Sequence, residues 1–196
     1  MTIAELYTQL SDKGFQDHQT GSLVFPAYMY AYNAEKEYEI DAEIRDIQNR
    51  LHRPNNYLDV LVLDIFEEFV AYLKSTTLGR QSRFDYYLNY ELKNPNAIDK
   101  GLKIDAYHES FFNALEKKIN DHLSAADSYE VAYVFVKGFG NAYPYIRASR
   151  FMNKFESKIK GYKLIMFYPG EVKDYYSLFG LLKDENLYRA IKLINE

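Results

Sequence analysis

The sequence predicts an α/β domain of three layers: a mostly parallel sheet of about four or five strands with helices on both faces, either Rossmann-like or a degenerate relative of the P-loop fold. Two observations carry this. Short β-branched and aromatic runs alternate with amphipathic helical stripes, an order that demands parallel pairing and right-handed crossovers. The run "YLDVLVLD" (57–64) is apolar almost throughout rather than alternating, the pattern of a strand covered on both faces.

Taken in order, "VFPAYMYAYN" (24–33) reads as the first strand, with Pro26 at its start or on an edge. In "EKEYEIDAEIRDIQNRL" (35–51), Ile40, Ile44, Ile47 and Leu51 recur at helical spacing and form one stripe. The strand at 57–64 then passes directly into "DIFEEFVAYL", where Asp64 and Glu67 have the spacing of a capping box. Residues 75–104 are the least regular part and read as a short helix with loops, a candidate variable insert. Tyr107, Phe111, Phe112, Leu115, Ile119 and Leu123 mark a helix over 105–123, and Val131–Val136 a strand. A helix is expected from Pro144, with proline at the first helical position and Ala148, Phe151, Met152, Phe155 and Ile159 on one side. "YKLIMFY" (162–168) is a further strand stopped by "PGE", and "DENLYRAIKLI" (184–194) a last helix with Leu187, Tyr188, Ile191 and Ile194 apolar. No repeat, low-complexity stretch or linker interrupts the chain, so residues 1–196 are expected to form a single domain.

Composition narrows the function. The net charge of −4 gives no general basic footprint, so direct nucleic-acid contact is not supported. Cysteine is absent, which excludes disulfides and thiolate-held metals. The amino-terminus lacks the apolar stretch of a signal peptide, and no run approaches the roughly 20 apolar residues of a membrane span, so a cytoplasmic protein is expected. Twenty tyrosines and 13 phenylalanines, with no tryptophan, supply large rings, and tyrosine's polar tip suits half-buried contact surfaces.

Candidate sites are few. In "VAYVFVKGFGNAYPYIRAS" (131–149), Gly138 and Gly140 match two glycines of a dinucleotide fingerprint, but Tyr143 stands where the third should allow close helix–strand packing. The simpler reading is a tight strand-to-helix turn. No phosphate-binding G-x-x-x-x-G-K-[ST] run exists, so Asp64 and Glu67 read as a helix cap rather than as a magnesium site. His18, His52, His108 and His122 lack metal-ligand spacing, no serine sits in G-x-S-x-G, and no acid–base pair assembles locally. No catalytic, cofactor-binding or metal-binding residue is therefore assigned, and no enzyme activity is expected. Arg147 falls in the first turn of its expected helix, where a cation opposes the helix dipole and calls for a partner, an internal carboxylate or a binding surface. The aromatic segment "FYPGEVKDYYSLFGLLKDENLYRA" follows a strand and lies where α/β domains place binding surfaces; alternatively it folds back over the core through Leu178, Phe179 and Leu181.

These residues carry a family likeness. "GFGNAYPYIRASRFMNKF" resembles a stretch of BrxB proteins that runs glycine-x-glycine, then a proline–aromatic step, then an arginine leading into a helix. "LIMFYPGEV" with "YSLFGLLKDENLYRAIKLI" is similar to that family's closing segment, Tyr-Pro-Gly, Leu-Phe-Gly, an acidic step and Tyr-Arg-Ala. The likeness covers roughly 131–194, is looser at the start and does not extend to 75–104; Ser149 stands where the family pattern has histidine. It implies a small component of the bacterial BREX antiviral system, with no established activity of its own, that contacts a PglZ-type phosphatase-like protein and other BREX components; a homodimer is also compatible with it. On this reading Gly138, Gly140, Pro144, Arg147, Tyr168, Pro169, Gly170, Phe179, Gly180, Tyr188 and Arg189 are candidate interface or turn residues. The competing reading is a nucleotide- or nucleic-acid-handling enzyme, with Gly138 and Gly140 cradling a phosphate and Asp64 or Glu171 positioning a metal.

Overall fold

A computed structural model describes residues 1–16, 27–125, 132–172, 176–178, 182–183 and 191–192. Helix α1 (Ile3–Ser11) opens with a complete capping box, Thr2 to the Glu5 amide and Glu5 back to the Thr2 amide, and is followed by a short α2 (Lys13–Gln16). Then come β1 (Ala27–Tyr32), a single 3-10 turn, α3 (Glu37–Leu51), β2 (Asp59–Asp64), α4 (Ile65–Ser75), a small hairpin β3–β4 (Thr77–Leu78 and Gln81–Ser82), α5 (Arg83–Tyr90), α6 (Pro95–Asp105) and α7 (Glu109–Ala125). The chain continues through β5 (Ala132–Lys137), α8 (Phe139–Ala142), α9 (Ala148–Phe155), β6 (Lys163–Val172), β7 (Tyr176–Leu178), β8 (Leu182–Lys183) and β9 (Ile191–Lys192).

The main sheet has the order β2-β5-β6-β1-β9, every neighbouring pair parallel. This is the expected α/β class with four long parallel strands and a short fifth. A Rossmann sheet keeps its first three strands adjacent; here β5 and β6 separate β1 from β2. Two cores flank the sheet, because alternate strand residues point to opposite faces. Tyr133, Phe135, Ile165 and Phe167 pack with Leu6 and Leu10 of α1 and with the predicted stripe Ile40, Ile44, Ile47 and Leu51 of α3. Val134, Val136, Leu164 and Met166 pack on the other face with Phe69, Phe111, Phe112, Phe151 and Phe155 from α4, α7 and α9. Tyr133 donates to the Leu10 carbonyl at 2.9 Å, and buried Lys163 donates to the Phe15 carbonyl, so the amino-terminal helices are fastened to the sheet by polar as well as apolar contacts.

Four elements differ from expectation. The helix predicted from Pro144 starts only at Ala148, as α9, and a four-residue helix not expected from the sequence, α8, precedes the proline; between them Tyr143 adopts an extended conformation (φ −66°, ψ 141°), as a residue before proline is driven to do. The "PGE" sequence does not stop β6. Pro169 is the last residue paired with β1, opposite Tyr32, and from Gly170 the strand takes β7 as an antiparallel partner. The tail helix is contradicted where it is described, because Ile191–Lys192 form β9 beside Tyr28 and Met29. Pairing along the open edge of β1 overrides the helical spacing of the apolar residues. Residues 75–104, expected as one short helix with loops, hold a hairpin and two helices.

That segment is anchored by one buried acid. Asp105 is 1% exposed and accepts from the Arg83 guanidinium and, at 2.6 Å, from Tyr87. Gly101 lets α6 approach, since a Cβ there would lie 2.8 Å from the Tyr87 hydroxyl. Among the described residues, no helix is long and apolar enough to cross a membrane.

Burial raises the ionisation of Tyr32, Tyr87, Tyr133 and Tyr162 well above the ordinary phenol value, reinforced by Glu37 at Tyr32 and by Asp105 at Tyr87. The fold therefore holds these protons more tightly than the unfolded chain. The stability this contributes is complete below about pH 10 and is lost as pH rises toward the folded-state values. In an alkaline titration, part of the phenolate absorbance should appear together with loss of the helical circular dichroism signal, in one cooperative step. Ionisation of all tyrosines with the helical signal intact would contradict this.

Candidate functional site at the C-terminal edge of the sheet

Open α/β sheets bind ligands outside the carboxyl ends of their strands. Here those ends are β1 at Tyr32, β2 at Asp64 and β5 at Lys137, and the register sets Asp64 beside Lys137. Asp64 ends its strand in an extended conformation and caps α4, its Oδ1 accepting from the amides of Phe66 (3.0 Å) and Glu67 (3.3 Å). Its Oδ2 lies 3.0 Å from Lys137 Nζ, which also donates to Asp41 Oδ1 of α3 at 2.7 Å. Both carboxylate oxygens of Asp64 are therefore engaged within the protein. Burial pushes the Lys137 ammonium down, but its bonds to Asp41 and Asp64 outweigh this and hold its pKa above the ordinary lysine value. Beside this cluster, buried Tyr32 donates to Glu37 Oε2 at 2.5 Å.

Gly138 follows Lys137 with a left-handed φ of +83°, and a Cβ there would collide with the Asp64 carboxylate. The glycine is thus required twice, by backbone conformation and by the approach of the strand end to the α4 cap. Its turn delivers Phe139 and Ala142 into the core, leaving Gly140 half-buried and Pro144 exposed. The four-residue α8 is too short to offer a developed helix dipole, and the acidic partners of Lys137 leave no free cation in the turn for a phosphate.

Arg147, expected within the first turn of a helix from Pro144, is instead the N-cap of α9, one residue before its first turn, and contributes no side-chain cap. Its amide donates to the Tyr107 hydroxyl at 2.9 Å, and its guanidinium lies 5.7 Å from the Tyr143 ring centroid. Its expected partner is thus an aromatic ring and not, among the described residues, a carboxylate. Arg150, one turn on, stands 5.7 Å over the Tyr107 ring. Tyr107, Tyr143, Pro144, Arg147 and Arg150 therefore form one partly exposed aromatic and cationic patch, joining the α6–α7 turn to the start of α9. The sequence reading missed Tyr107 and Arg150 as members, because nothing in local spacing links them to the glycine turn.

The other candidates fall elsewhere. Tyr168, Pro169 and Gly170 are buried strand residues rather than an exposed turn, and Leu178 is a core anchor at 5% exposure. Phe179, Gly180, Leu181, Tyr188 and Arg189 lie outside the described residues, as does His18. His122 hydrogen-bonds Asp59 at 2.7 Å, and His108 Nδ1 accepts from the Ser110 amide at 3.3 Å. Among the described residues, no group of three or more His, Asp and Glu side chains could hold a metal.

Replacing Gly138 by alanine should cost about 2–3 kcal/mol, from the left-handed backbone and from displacement of the Asp64 cap. Urea unfolding would measure it, and a loss under 0.5 kcal/mol would show that neither constraint operates.

The profile of the BrxB family, described as BREX protein BrxB, matches residues 60–193, a range that includes Asp64, Lys137, the glycine turn, the patch and also the segment 75–104, to which the motif likeness does not extend. The chain is 25% identical over 201 residues to the BREX protein BrxB of Bacillus cereus (strain H3081.97), covering 99% of this chain and 96% of that protein. It is 21% identical over 195 residues to the BREX protein BrxB of Escherichia coli O9:H4 (strain HS), covering 98% and 90%. No solved structure matches it. With the match spanning β2 to β9, this chain belongs to the BrxB family of BREX proteins.

Proposed function

We propose that the protein is a non-enzymatic adaptor of a bacterial BREX phage-defence system, binding the PglZ-type phosphatase-like component through the C-terminal edge of its sheet. One observation carries this reading. The place where an α/β sheet would hold a small ligand is filled by the protein's own Asp41–Lys137–Asp64 cluster, while the adjoining surface presents tyrosine, proline and arginine. Tyrosine and arginine are enriched among residues that dominate binding energy at interfaces, because each combines a large contact area with a polar group.

Within this reading Pro144 and Arg147 contact the partner directly, whereas Gly138 and Gly140 shape the turn that presents them. Tyr168, Pro169 and Gly170, being buried, support the face from below. Tyr188 and Arg189 are assigned to the same interface through the family likeness alone.

Co-expression with the PglZ-type protein should yield a complex on size exclusion, stable across a range of salt. Arg147→Ala should weaken it about tenfold or more while leaving the circular dichroism spectrum unchanged. Absence of any complex for the wild-type chain would remove the adaptor reading. A thermal-shift screen with nucleotides and magnesium should be flat. Saturable stabilisation would instead favour the nucleotide-handling reading.

A further inference from the structure

Next to the glycine turn, α4, α5 and α6 enclose an apolar pocket of about 210 Å³. Each helix gives it a row at helical spacing: Phe66, Phe69, Val70 and Leu73 from α4; Phe84, Tyr87, Leu88 and Glu91 from α5; Ile98 and Leu102 from α6. Ala142 and Tyr145, from the "GNAYPY" stretch, also line it. Two of the wall residues are markedly open to solvent, Phe66 at 42% and Leu88 at 62% exposure. Exposed apolar side chains are common singly, but here two flank a concave apolar site; among the described residues its one charged lining side chain is Glu91, while the Lys74 ammonium stands 4.9 Å over the ring of Phe84 on the wall.

Size and charge decide the occupant. Small-molecule sites usually run to roughly 300–1,000 Å³ and carry several convergent polar groups; this pocket is smaller and has one carboxylate. A stable protein partner buries about 800 Å² on each side, and a pocket of this volume supplies a fraction of that, so it serves as one part of a wider contact. It matches the space filled by an anchor or two from an amphipathic segment, the helix-in-groove mode, in which ridges at helical spacing receive apolar side chains. Glu91 adds a charge requirement: a basic residue beside the anchor would complete an ion pair at the rim, and an acidic one would be repelled.

We propose that this groove receives an amphipathic segment of another BREX protein, an apolar anchor inserting between Phe66 and Leu88 with a lysine or arginine facing Glu91. The proposal rests on the adaptor reading and adds the second half of its surface, because Ala142 and Tyr145 join the groove to the turn that carries Pro144 and Arg147. The anchor contact supplies affinity, and the ion pair sets orientation.

The test uses the full chain in complex with its partner, comparing Leu88→Glu and Glu91→Lys with Tyr38→Glu, a 95% exposed position on α3. The first two should weaken the complex at least tenfold with unchanged circular dichroism, and Tyr38→Glu should not. A photo-crosslinking amino acid at Leu88 should label a partner peptide with an apolar residue next to a basic one. Changing that basic residue to glutamate should restore binding to the Glu91→Lys variant. If the wild-type complex forms and folded Leu88→Glu binds equally well, the groove proposal fails and the adaptor reading stands. If the crosslink joins two copies of this chain, or the basic-residue swap restores nothing, the proposed occupant is wrong. If the wild type binds no BREX protein at all, both fall.

Discussion

Lys137 holds the functional end of the molecule together by giving one ammonium to two carboxylates from different elements. Asp64 belongs at once to β2, to the cap of α4 and to Lys137; Asp41 brings in α3; and Lys137 is the last residue of β5. Four elements from both layers of helices thus meet at a single charge. Losing Lys137 is felt most at Asp64, whose side chain is 13% exposed, and less at Asp41, which at 41% remains well solvated. The constraint also explains the glycine. Only a residue without Cβ lets the chain turn away from Lys137 past the Asp64 carboxylate, and that turn sets where α8, Pro144 and Arg147 begin.

A second buried charge performs the corresponding task for the middle of the chain. Asp105 receives Arg83 from the start of α5 and Tyr87 from its middle, so it fixes α5 against α6 although the segment buries few apolar residues of its own. Leu88 and Glu91 of α5 line the same pocket as Phe66 of α4, and Leu88 and Phe66 stay open to solvent. Tyr72 on α4 adds a further tie, its hydroxyl 2.6 Å from Ser110 at the start of α7.

The fold was legible in the sequence where one signal acted alone. The stripe Ile40, Ile44, Ile47 and Leu51, the fully apolar run into Asp64 and the Asp64 cap all depend on residues within a turn or two of each other. Where tertiary pairing competed with local pattern, the reading went astray. Ile191 has helical spacing with Leu187 and Ile194 but pairs with β1, and "PGE" looks like a stop until β7 offers a new partner. Of the candidate site, Gly138 was legible as a tight turn, but its second constraint was not, because Asp64 lies far away in the chain. For Arg147 the sequence suggests a carboxylate or a binding surface; its contact with the Tyr143 ring, set by the extended residue before proline, is visible only in the fold.

The electrostatics of the sheet edge separate docking from ligand binding. Asp41 and Asp64 share one lysine and Glu37 accepts from the neighbouring Tyr32, so the α3 side of the edge carries more negative than positive charge. An incoming phosphate would have to displace a carboxylate from Lys137 and then sit beside the rest, against both Coulomb repulsion and the loss of a formed ion pair. The α9 side has the opposite character, with Arg147 and Arg150 over tyrosine rings. A face acidic at one end and cationic–aromatic at the other discriminates against small anions but orients a large partner. Complementary charge at both ends fits one docking direction and penalises its reverse. Such a surface is what the proposed adaptor role requires, since a partner docked in reverse would meet like charge at both ends.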